Sequence, residues 1–352
     1  MAKKTGLFLF FREPYCSAKT LIMYNNKPQP INIFRRKTLK KLFTLAILLA
    51  VGLGLAFFGC SKNPTTSEET AVDDDAAITT VLNTNGYATS DNYGDDGTAG
   101  FAKSDAKSDT FPYYVRWRRR INTPVERTIS IAYDSNNTFA TVTISSDYTG
   151  RFVVDNTPNL LLDTFSRAIN DHGVRYVWLK KWNDHWYFWG ASPLEIATVN
   201  PQIIVYIDSV KITGTGGERP NVTFIGSLYG QTLRRDQMPI FEPGATVTAT
   251  VYTRISSGAD STWAFLHRRI WHSAGWSNHI REPLERVTGE KFVFTKTWTL
   301  YSDSILAFPA LRHACLDVIL GSTLFGDSTA EYSARMWTVP YIVKAVGDTT
   351  MP

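Results

Sequence analysis

The chain has 352 residues, of which 43% are hydrophobic and 13% aromatic, with 37 Lys+Arg against 32 Asp+Glu for a net charge of +5. That basic excess lies in the first 60 residues, which hold ten Lys+Arg and one acid; residues 61–352 carry 27 basic and 31 acidic side chains, a net of −4. Overall basicity therefore gives no support to a nucleic-acid partner.

The first elements in chain order are leader-like. Met1 to Pro30 show no basic-then-apolar order, the apolar run Gly6 to Phe11 is too short to span a bilayer, and Met23 makes the more ordinary start. Arg35, Arg36, Lys37, Lys40 and Lys41 then precede an uncharged apolar run from Leu42 to Phe58, followed by Gly59 and Cys60. This order, ending Phe57-Phe58-Gly59-Cys60, resembles a bacterial lipoprotein leader of the signal peptidase II type. The resemblance implies removal of residues 1–59, lipidation of Cys60 as the mature N-terminus, and a lipid-anchored protein of the bacterial cell envelope. The alternatives are an uncleaved anchor or an ordinary cleaved signal. Seventeen residues at 1.5 Å each span about 25 Å, short of a hydrocarbon core of about 30 Å, which disfavours the anchor. With Cys16 and Cys60 assigned to this region, Cys315 is the one cysteine left, so stability must come from the core and not from an intrachain disulfide.

Residues 60–110 read as an acidic tether. Ser61 to Thr110 hold ten acids and three lysines among many Ser, Thr, Gly and Asn, a composition that rarely packs alone. Asp73 to Leu82 is the exception: acids in a first turn, then Ile78, Val81 and Leu82 on one face, predict a short helix that docks on the following domain. Asp91 to Gly97 lacks the alternating acids and closing glutamate of a calcium loop.

Residues 111–200 predict an antiparallel β-rich domain. YYVRWRRRI, RTISIAY, FATVTISS and GRFVVD are strand-like, Leu160 to Asn170 is helix-like, and RYVWLKKW and WYFWGAS flank a three-residue connection, Asn183-Asp184-His185. A helix near Asp73, a curved sheet and a tryptophan-rich hairpin resemble the NTF2-like and cystatin-like α+β domains of bacterial lipoproteins.

Residues 201–346 predict a β-sandwich, with residues 347–352 as a tail. Ala245 to Thr253 alternates cleanly, sending Val247, Ala249 and Val251 to one face. With QIIVYIDSVKIT, NVTFIGS, STWAFLHRRI, KFVFTKTWTL, ACLDVIL and VPYIVKAV the count reaches about seven short strands, an architecture similar to Ig-like sandwiches. The fold class is thus mainly β.

Chemistry-bearing motifs are sparse. Neither a phosphate loop nor a His-Glu-x-x-His pair occurs, and Gly214 to Gly217 reads as a turn because Pro220 opposes a helix start. Gly275 to His279 has a serine in a glycine context but lacks the second glycine of a nucleophile elbow. His267 and His272 are five residues apart and face opposite sides of a strand, so a solvated basic strand end is expected and not a metal site. Cys315 reads as a half-buried thiol. No catalytic set, metal or cofactor is expected.

Two surfaces stand out. Arg116, Arg118 and Arg120 alternate onto one strand face, suited to an acidic partner or to facing the chain's own tether. In Tyr176 to Trp189, Val177 and Leu179 take one face and Tyr176, Trp178 and Trp182 the other, while Trp186 and Phe188 oppose Tyr187 and Trp189. Both faces are apolar, so one must serve the core and the other a helix, a second domain or a ligand. The sequence thus leads to a tethered, non-enzymatic binding or envelope-scaffold module, with an envelope protein or glycan as partner; the alternative is an envelope hydrolase acting on glycans or esters.

Overall fold

The computed structural model describes residues 73–85, 111–112, 114–159, 161, 163–228, 231, 233–271, 277–300 and 309–349. The leader, Cys60, Asp91 to Gly97 and His272 to Trp276 lie outside them. Helix α1 (Asp74–Thr84) is followed by β1 (Arg116–Ile121), β2 (Glu126–Tyr133), β3 (Phe139–Asp155), β4 (Phe165–Trp182), β5 (His185–Ala191) and β6 (Leu194–Thr198). Next come β7 (Val205–Gly214), β8 (Asn221–Ile225), β9 (Leu233–Arg234), β10 (Ile240–Phe241), β11 (Thr246–Ile255) and β12 (Thr262–Trp271). The last elements are β13 (Ser277–Pro283), β14 (Glu285–Arg286), β15 (Val293–Thr299), β16 (Ala310–Leu320), the short helix α2 (Gly321–Phe325) and β17 (Ala334–Val343). Among the described residues no helix is long and apolar enough to cross a membrane.

The fold is mainly β, as the residue patterns predict. A five-stranded sheet in the order β14-β15-β11-β7-β8 accompanies a twelve-stranded sheet whose main path is β1-β3-β4-β6-β17-β16-β12-β13. Val247, Ala249 and Val251 of β11 are buried as their alternation requires, and with Val210, Ile212 and Phe294 they pack on Leu266, Leu316, Val318, Trp337 and Val339. This is face-to-face sheet packing within residues 201–346. The boundary placed at 200/201 is not a break in packing, however: residues Ala71–Pro352 form one compact unit, and β17 pairs antiparallel with β6, so one sheet runs across it.

The larger sheet curls. β1 and β13 stand at opposite ends of its path, yet the Arg281 Nη2 on β13 donates to the Trp117 carbonyl on β1 at 2.6 Å. The curl encloses an apolar cluster drawn from β1, β3, β4, β12, β16 and β17: Trp117, Phe152, Val154, Ile169, Phe265, Ile319 and Ala334. Close approach also has a backbone requirement. A Cβ on Gly150 would come within 2.1 Å of the Arg120 carbonyl, so only glycine fits opposite Ile121 in the β1–β3 pairing.

Two local expectations are corrected. FATVTISS and GRFVVD are not separate strands but parts of the 17-residue β3, and the helix-like reading of Leu160 to Asn170 fails because β4 starts at Phe165 and runs 18 residues. The physical reason lies in what β4 buries. Arg167, Asp171 and Arg175 share its inward face with Ile169, so polar residues interrupt the apolar alternation that marks a strand. Arg167 is held by carbonyls at 2.6 Å (Ala330) and 2.7 Å (Asp327), which fixes the connection between α2 and β17.

Helix α1 matches its prediction. Asp73 caps it through a hydrogen bond from the Asp75 N–H, and Ile78 and Leu82 are buried against Ala140, Val142, Val177 and Leu179 of the long β3–β4 ribbon. Lys181 Nζ donates to Asp74 at 2.9 Å, as does Trp186 Nε1. These bonds hold the Asp74 carboxyl below its ordinary value against the opposing effect of burial.

Candidate functional site

The hairpin of β4 and β5 sorts its aromatics as the alternation predicts. Val177 and Leu179 are fully buried under α1, whereas Tyr176 and Trp178 are half-buried on the opposite face. The connection is a two-residue turn, not the three-residue one expected: Asn183 and Asp184 have φ of 47° and 58°, as a type I′ hairpin turn requires, and His185 already belongs to β5. Trp182, Tyr187 and Trp189 are 64%, 51% and 40% exposed, too much for core residues.

Trp186 is the exception among the candidate surface residues. It is 5% exposed, joins the core beneath α1 and spends its N–H on Asp74, so it belongs to the helix-docking face and not to a ligand surface. Tyr176, Trp178, Trp182 and Trp189 remain on the outer face.

That face carries a shallow cavity of about 430 Å³ lined by Phe139, Trp178, Trp189, Arg234 and Gln237. Each strand supplies its part by register. Thr141 on β3 pairs with Trp178, which brings Phe139 to the same side, and a bulge between Trp178 and Leu179 re-aims β5 so that Trp189 stands beside the cavity. β9 then pairs with β5, Arg234 opposite Gly190, and places the guanidinium 5.7 Å from the Trp189 ring centroid. Lys180 Nζ lies 5.2 Å from the same ring. Phe139, Arg234 and Gln237 escaped sequence reasoning because they reach this face through tertiary pairing, with Arg234 on a two-residue strand.

The arginine row alternates as predicted. Arg116 and Arg118 are half-buried and Arg120 exposed, with Trp117 and Arg119 turned inward. β3 adds a fourth member, because Arg151 pairs directly with Arg120. Like charges directly opposite one another are destabilising, so Arg151→Glu should raise stability by roughly 0.2–1 kcal/mol in a denaturant titration, and a loss would mean the pair is already neutralised.

Inside the curl lies a buried polar cluster. Arg119, 1% exposed, makes a two-pronged contact with the fully buried Asp317 at 2.6 and 2.9 Å, and its Nε donates to the Tyr332 hydroxyl at 2.9 Å. Tyr332 donates onward to Asp171 at 3.0 Å. His267 Nε2 lies 3.0 Å from Asp317, and its Nδ1 lies 3.2 Å from His279 Nε2. Burial opposes ionisation of Asp317, but the Arg119 charge and the His267 hydrogen bond outweigh it and hold the carboxyl well below its usual range. Tyr332 shifts the other way, pushed well above its ordinary value chiefly by burial, with the Arg119 charge opposing and the Asp171 and Asp317 charges adding.

This cluster corrects two expectations. His267 is not at a solvated strand end; it is 1% exposed, its ring stacked on His279 with centroids 5.1 Å apart. Cys315 is fully buried, not half-buried, on the inward face with Asp317. Among the described residues no group of three or more His, Cys, Asp or Glu side chains could hold a metal ion. The signal for the cluster was present in ACLDVIL, where one charge in an apolar strand demands a buried partner; the sequence held no clue that the partner was Arg119, 198 residues away. No protein-family model matches the chain, and no curated protein matches its sequence.

Proposed function

We propose that this chain is an exported lipoprotein, tethered through lipidated Cys60, whose β-rich unit is a non-enzymatic binding or envelope-scaffold module that takes a glycan on the outer face of its β4–β5 hairpin. The observation that carries the reading is the exposed aromatic face itself: Trp182, Tyr187 and Trp189 stay in contact with solvent, and Trp189 lines a cavity together with Trp178 and Phe139. Exposed aromatic clusters mark interaction surfaces, and flat rings with a few polar groups suit the apolar face of a sugar. The cavity is lined by aromatic, arginine and glutamine side chains, which favours binding over glycan or ester hydrolysis by paired carboxylates. Support for the tether is the basic-apolar-Gly59-Cys60 order, and two or more acyl chains would hold where one would not.

Two measurements test the two halves. Trp189→Ala should weaken binding of envelope oligosaccharides by about tenfold or more while leaving the melting curve nearly unchanged, since exposed substitutions usually move stability by less than about 0.5 kcal/mol. Unaltered binding in that variant would remove the aromatic face as the site. For the tether, intact mass of the envelope fraction should show diacylglyceryl on a chain beginning at Cys60, and Cys60→Ala should abolish it; unchanged processing and membrane retention would refute the anchor.

A further inference from the structure

We infer that the ligand of the hairpin cavity is an acidic saccharide whose carboxylate is read by Arg234, an inference that rests on the glycan reading above and narrows it. Two observations carry it. The first is the charge around the cavity. Arg234 and exposed Lys180 flank Trp189 at 5.7 and 5.2 Å, while none of Phe139, Trp178, Trp189, Arg234 and Gln237 that line the cavity carries a negative charge. Asp236 touches Arg234 Nη2 at 3.2 Å but is itself 69% exposed.

The second observation is the open end of the guanidinium. The Arg234 side chain is 40% exposed, with Asp236 against its Nη2 at 3.2 Å, and a guanidinium presents five donors in a fixed fork. Nε is closed off from solvent, so an acceptor brought by the ligand meets the outer Nη donors. A carboxylate matches the fork with two parallel hydrogen bonds, where a sugar hydroxyl offers one acceptor and no charge. A uronic-acid ring supplies both halves of the contact: an apolar ring face for Trp178 and Trp189, and a carboxylate for Arg234. A cavity of about 430 Å³ suits one or two such rings.

The test uses the full chain with a uronic-acid trisaccharide and its carboxyl-reduced neutral counterpart, which keeps the rings and linkages and removes the charge. Titration calorimetry should show the acidic form binding about tenfold or more tighter, the scale of one charge-assisted contact, with the preference shrinking as salt is added. Arg234→Gln should collapse the preference and retain affinity for the neutral form, whereas Trp189→Ala should weaken both. Arg234 is partly exposed, so folding of the variant is checked by its melting curve, and Arg234→Lys, which keeps charge but not the fork, should recover only part of the preference. Equal binding of the two sugars by the wild type would overturn the acidic ligand and leave the glycan reading standing. A preference that survived Arg234→Gln would overturn the role of Arg234. Binding of neither sugar would overturn both.

Discussion

Arg119→Met should lower stability by about 3–5 kcal/mol, the usual effect of stranding one partner of a buried ion pair. Asp317 is fully buried, and without Arg119 it would keep His267 as a partner but lose both guanidinium contacts and the charge that holds it ionised. Tyr332 would also lose the donor at its hydroxyl while still facing Asp171. The double variant Arg119→Met with Asp317→Leu should recover much of the loss, because two apolar side chains remove the stranded charge as well as the attraction. A single variant as stable as the wild type in urea would show that the pair is not needed to close the curl. The same pair sets an acid limit. The folded Asp317 carboxyl lies below its unfolded value of about 3.9, so its contribution is fully present above that pH and is lost as pH falls through the lower, folded value. In Arg119→Met that portion of the acid transition should move to higher pH.

Trp117→Ala should cost about 3–5 kcal/mol, the range for truncating a large buried aromatic. Its ring is 1% exposed and lies 5.2 Å from Phe152 and 5.1 Å from Phe265, with the Arg281 guanidinium 3.6 Å above it. These neighbours come from β3, β12 and β13, so the cavity left by alanine would open where the two ends of the sheet meet. The ring and its backbone carbonyl both bind Arg281, and Arg281→Ala should therefore reproduce part of the loss. Trp182→Ala serves as the internal control. At 64% exposure it should shift the melting curve little, and a drop as large as that of Trp117→Ala would contradict its place on the outer face.

The contrast among the tryptophans shows how far alternation reaches. Period-two spacing places Val177 and Leu179 inside and Trp178 and Trp182 outside, and the same spacing turns Trp117 and Arg119 away from Arg116, Arg118 and Arg120. It does not say which of two apolar faces is covered. Trp186 and Trp189 lie on opposite faces of one strand with equal claims to burial; Trp186 is buried because Asp74 on α1 accepts its N–H and the helix covers that side. The face of Trp189 meets Arg234 on a short strand that arrives from another part of the chain and leaves the ring partly open.

The mainly β class, the helix at Asp73, the strands of the sandwich and the face taken by each hairpin aromatic are legible in the residue order. All of these follow from local periodicity and capping, which act within a few residues. Tertiary structure decided that β3 and β4 are long continuous strands, that one sheet joins the two halves of the β-rich unit, and that Arg119, Asp317, His267 and Tyr332 meet inside its curl. Strand pairing fixes the first two, and the buried cluster depends on polar groups that satisfy one another across as many as 213 residues of chain. A buried polar residue looks locally like a surface residue, because its alternation pattern is that of water-facing positions; only the partner brought by the fold makes its burial affordable.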